Sequence, residues 1–73
     1  MRGPVLFRAE VTRVIGPGTK YLVTREYHAD GTIREQVNPG LPDLEGEWRE
    51  VGREPDLAGA PDRLRAAGWL LRD

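Results

Sequence analysis

Asp30-Gly31 constrains this chain more than any other dipeptide, because it separates two runs of strand-forming residues and Asp-Gly is among the strongest short signals for a β-hairpin. Before it, Lys20 to His28 carries Tyr21, Val23, Thr24 and Tyr27; after it, Thr32 to Val37 returns as a partner strand. A second signal, Gly16-Pro17-Gly18-Thr19, ends an earlier run from Val5 to Ile15 in which apolar odd positions alternate with Arg8, Glu10 and Thr12. Three consecutive antiparallel strands follow from these two turns.

The rest of the chain adds less. Asn38-Pro39-Gly40-Leu41-Pro42 is a loop, since closely spaced prolines suit neither a helix interior nor a central strand. Trp48 to Arg53 is a shorter fourth strand and Glu54 to Gly59 a linker. Pro61 opens a helix with Asp62 in its first turn, Gly68 is placed to end it, and Trp69 folds back past that end. Trp69-Leu70-Leu71 is a candidate final short strand. The expected fold is α+β: an antiparallel three- or four-stranded β-meander with one C-terminal helix packed on one face. It forms a single domain over residues 1–73, with strands at about 5–15, 20–28, 32–37 and 48–53 and a helix at about 61–67.

Turn lengths give a register. A four-residue loop at 16–19 sets Ile15 opposite Lys20, Glu10 opposite Arg25, Arg8 opposite Tyr27 and Val14 opposite Tyr21. A two-residue turn at Asp30-Gly31 sets Tyr27 opposite Arg34 and Arg25 opposite Gln36. One face then carries Arg8, Tyr21, Arg25, Tyr27 and Arg34, and these are the candidate binding residues. The other face carries Val5, Phe7, Ala9, Val11, Leu22, Ile33 and Val37 for the helix to cover through Leu64 and Ala67, with Trp48 or Trp69 closing an edge. The same register puts His28 on the core side near Phe7 and Ile33, as a structural histidine. It also opposes Glu26 to Glu35 there, a like-charge pair that destabilises a sheet.

Composition removes several chemistries. The 73 residues include no cysteine, no serine and one histidine, His28, so Ser-His-Asp and Cys-His nucleophiles cannot be assembled within one subunit. Zinc sites rich in His and Cys are excluded with them, and no phosphate-loop motif is present. No catalytic residue, metal or cofactor is expected. Asp43, Glu45, Glu47 and Glu50 cluster around a loop and read as solvated charge rather than a cation site. No apolar run exceeds three residues, against roughly 20 needed to cross a bilayer, and no signal-peptide pattern opens the chain, so a cytoplasmic location without membrane contact is expected.

The formal net charge is −1, from 11 basic and 12 acidic residues, and ten of the basic ones are arginine. Arginine suits bidentate and stacking contacts, and with tyrosine it is favoured at protein interfaces. The expected function is a small non-enzymatic module acting through contact with another protein or a second copy of itself. Single-stranded nucleic acid is the alternative, with bases stacked on Tyr21 and Tyr27 and phosphates on Arg8, Arg25 and Arg34; the near-zero net charge counts against it.

Overall fold

A computed structural model describes residues 2–14, 16–18, 20–38 and 47–72 of the chain. The strands are β1 (Val5–Val14), β2 (Lys20–His28), β3 (Thr32–Asn38), β4 (Arg49–Arg53) and β5 (Leu70–Arg72), with a helix α1 (Ala60–Ala66) between the last two. They make one antiparallel sheet of five strands in the order β4-β3-β2-β1-β5. The first four form the expected meander. The fifth exceeds the three or four expected strands, and it lies on the far edge of β1, so the segment carrying α1 crosses one face of the sheet from edge to edge. No described helix is long and apolar enough to cross a membrane.

Both hairpins pair one residue away from the expected register. Val14, not Ile15, faces Lys20, which leaves residues 15–19 between the strands; Ile15 and Thr19 lie outside the described residues. The second hairpin closes through three residues, Ala29 to Gly31. The Gly31 N–H donates to the His28 carbonyl at 2.9 Å, and Gly31 adopts φ +94°. A three-residue hairpin ends in a residue of left-handed conformation, and glycine supplies it without steric cost. Asp30 serves the turn as expected, accepting the Thr32 N–H at 2.8 Å.

The one-residue shift at both ends turns β2 over. Tyr27 now opposes Phe7 and Ile33, Arg25 opposes Ala9 and Glu35, and Tyr21 opposes Arg13. Tyr27 and Phe7 therefore share a face instead of lying on opposite ones, and their rings stack with centroids 4.7 Å apart and planes 12° from parallel. That face holds the core: Ala9, Val23 and Tyr27 pack with Ala60, Leu64 and Trp69, and Phe7, Val11, Ile33 and Leu71 close around them. Ala67, expected among the core contacts, is instead the exposed C-cap of α1. The opposed glutamates also separate, since Glu26 meets Arg8 and Arg34 on the open face while Glu35 meets Arg25 on the helix side.

The helix ends as its sequence predicts. Gly68 has φ +93°, its N–H bonds the Arg65 carbonyl, and the Trp69 N–H reaches back to the Leu64 carbonyl at 2.9 Å. This is a Schellman arrangement, with Trp69 and Leu64 making its hydrophobic contact in the core. An added Cβ at Gly68 meets nothing within 4 Å, so Gly68→Ala is expected to cost about 1 kcal/mol from backbone conformation alone. Gly31→Ala should cost more, because its Cβ would lie 2.9 Å from the Glu54 carbonyl oxygen as well. Urea midpoints at constant slope measure both; equal stability of Gly68→Ala and the parent would contradict the left-handed cap.

Candidate interaction surface

No described helix or strand packs on the face opposite α1. Its side chains come from even positions of β1, β2 and β3, because side chains alternate along a strand and directly opposed residues share a face. Across the sheet runs a row of charges: Arg72 opposes Arg8, Arg8 opposes Glu26, Glu26 opposes Arg34, and Arg34 opposes Glu50. Glu26 is the hub. Its carboxylate lies 3.2 Å from Arg8 Nη2, 3.6 Å from Arg34 Nη1 and 3.5 Å from His28 Nε2, and its side chain is only 11% exposed.

His28 is buried, but on this face beside Glu26 rather than on the core side expected for it. A carbonyl can only accept, so the 3.1 Å contact between Nδ1 and the Gly3 carbonyl puts a proton on Nδ1 and turns Nε2 toward Glu26. Nε2 is buried and makes no hydrogen bond with a described residue. Trp48 stacks on the opposite side of the hub, its ring 5.6 Å from the Arg34 guanidinium. The hub is thus a carboxylate hydrogen-bonded by Arg8 and paired with Arg34, whose guanidinium is backed by an indole, with the His28 ring packed beside it.

Further along the same face the character changes. Val14 and Leu70 are 64% and 58% exposed, and Leu22, expected on the core side, is carried to this face by the turned β2 and is 37% exposed. Leu22 and Leu70 flank β1, opposite Thr12 and Glu10 respectively, and line a shallow depression of about 330 Å³ with Arg72. Arg72 is bonded to the Glu10 carboxylate. Exposed aliphatic side chains stand here beside arginines that each already contact a carboxylate, so uncovered apolar area adjoins charge that is only partly neutralised.

Of the expected binding residues, Arg8 and Arg34 stand on this face and meet at Glu26. Tyr21, Arg25 and Tyr27 lie on the other side. Tyr27 is 2% exposed, and the Arg25 guanidinium covers the Trp69 ring at 4.7 Å while Nε donates to Glu35 at 2.8 Å. Burial disfavours the Arg25 charge, but hydrogen bonding to Glu35 and Tyr27 outweighs it and holds the pKa above the ordinary arginine value. Glu26, His28, Trp48, Leu22 and Leu70 are the face residues that the sequence reading did not select. The opposition of Glu26 to Glu35 was the available sign, since turning β2 over gives both glutamates an arginine.

At the hairpin end an open cleft of about 620 Å³ is bordered by Arg2 and Arg53 but equally by Asp30 and Glu50. The Thr32 hydroxyl there is buried without a well-formed hydrogen bond to a described residue. It lies near enough to Asp30 to hold that carboxyl, together with the Thr32 N–H, below the usual carboxylate range. Balanced charge gives this cleft no preference for an anion. Among the described residues no group of three His, Asp or Glu side chains is placed to hold a metal ion; Asp43 and Glu45 of the acidic cluster lie outside them. No family model, curated protein or solved structure matches the chain.

Proposed function

We propose that this chain is a non-enzymatic binding module acting through protein contact, and that it docks through the open face of the sheet. The observation that carries this reading is the exposure of Val14, Leu22 and Leu70 beside arginines whose charges are partly neutralised by carboxylates of the same face. Such a surface gains from losing water around its aliphatic part and does not oblige a partner to bring many opposite charges. The sheet edges favour it less. β4 carries Arg49, Glu50 and Arg53 and is irregular between its pairs with Ile33 and Arg34, features that discourage strand addition, and β5 is three residues long. Single-stranded nucleic acid has less support here, because the tyrosines that would stack bases pack on the helix side and Arg8 and Arg34 share one carboxylate.

A photoreactive side chain at Leu22 tests the reading. It should give protein adducts that excess parent chain competes away and excess Leu22→Asp does not, while the same probe at Arg65, on the outer side of the helix, gives none above background. Equal labelling from the two positions would sink the proposal. So would low-micromolar affinity for a short single strand that falls steeply with salt, the signature of phosphate binding.

A further inference from the structure

Inside Arg72 on the edge strand β5, the charge row on the open face reads plus, minus, plus, minus across four adjacent strands: Arg8 on β1, Glu26 on β2, Arg34 on β3 and Glu50 on β4. Such a series is its own complement under one operation. Turned by half a revolution about an axis parallel to the strands and midway between β2 and β3, a second copy sets its Glu50 over Arg8, its Arg34 over Glu26, and the reverse. Shifting the axis onto a strand sets like over like. We infer that the open face is occupied by a second copy of this chain, placed about that twofold axis, with Arg8 of each copy meeting Glu50 of the other.

This rests on the reading of the face as a protein-docking surface and adds the partner and its orientation; the overlap takes in Leu22 on β2, while Leu70 and Arg72 on β5 lie beyond the copy's β4. The groups needed have capacity to spare. Arg8 keeps its side chain 45% exposed after bonding Glu26, and Glu50 forms no ion pair with any described residue. Within one chain the two stand three strand spacings apart, roughly 14 Å, so neither can satisfy the other. An isologous contact makes the pair twice, and the small net charge of −1 opposes association little. Four strands by seven residues span roughly 19 by 23 Å, or about 900 Å² over the two copies, which is the size of a weak, transient interface rather than a standard stable one.

Sedimentation of the full chain from micromolar to millimolar concentration reads the outcome. The parent should dimerise, and Glu50→Arg and Arg8→Glu should each weaken dimerisation by roughly 100-fold, since each sets like charges together at two symmetric places. An equimolar mixture of the two variants should dimerise again, because the two reversed charges then face each other at one place while the native pair survives at the other. Arg8→Glu also confronts Glu26, so far-UV circular dichroism accompanies it; should it unfold, Arg8→Gln mixed with Glu50→Arg replaces it and should recover part of the loss. A chain that stays monomeric at every concentration overturns the second copy as occupant, and leaves the docking reading to the adducts formed at Leu22. A dimer indifferent to both reversals, or variants that fail to recover on mixing, overturns the proposed axis.

Discussion

Trp69→Ala is expected to remove about 3 to 5 kcal/mol of folding stability, and Trp48→Ala less than about 1. The two indoles differ in what they touch. Trp69 is 7% exposed, sits in the core with Leu64 and Ala60, and closes the Schellman contact. Arg25 and Arg13 lie over its ring at 4.7 and 5.8 Å, so truncation also uncovers two guanidiniums that lose their aromatic partner. Trp48 lies at the margin of the sheet, half-buried against Arg34. A domain of this length holds roughly 4 to 11 kcal/mol in all, so the Trp69 variant should lose a large share of its stability and unfold at a much lower urea concentration, while the Trp48 variant keeps a midpoint close to the parent's. Circular dichroism during urea unfolding measures both. A Trp69→Ala chain within about 1 kcal/mol of the parent would mean that the helix is not held by this side chain.

The elements were readable from local chemistry, and the faces were not. Asp30-Gly31, Gly16-Pro17-Gly18, Pro61 and Gly68 each mark a real boundary, because turn and cap residues act within a few residues of themselves. Register depends on loop length, and a single residue reverses every side chain beyond it. Here the errors at the two ends of β2 cancelled for its neighbours: β1 and β3 stayed in phase with each other, so Arg8 and Arg34 do share a face. Only β2 was reversed, which exchanged Tyr21, Arg25 and Tyr27 for Leu22, Glu26 and His28. The strand's own alternation held the answer, since Tyr21, Val23 and Tyr27 form its more apolar side and belong toward the helix. The fifth strand was harder to place, because its three residues pair with β1 only after the chain has crossed the sheet. No local pattern encodes which edge a crossing segment reaches.

The second large effect is expected at Glu26, where alanine should cost about 3 kcal/mol, against less than about 0.5 kcal/mol for Glu50→Ala in the same charge row. Removing one member of a buried ionic group leaves its partners dehydrated without compensation, and the usual penalty is roughly 3 to 5 kcal/mol. Glu26 lies toward the lower end because Arg8 remains 45% exposed and recovers water, whereas Arg34 at 25% and His28 at 6% recover less. Glu26→Gln separates charge from shape. It keeps the volume and an acceptor oxygen for Arg8 but gives up the charge that draws Arg34, so it should fall between alanine and the parent. The salt dependence differs as well: screening should scarcely alter the Glu26 penalty but should erase any contribution from the exposed Arg65–Asp62 pair. A Glu26→Ala chain as stable as Glu50→Ala would show that Arg8 and Arg34 are hydrated in the absence of the carboxylate, and the centre of the open face would then be an ordinary solvated surface rather than a fixed ionic hub.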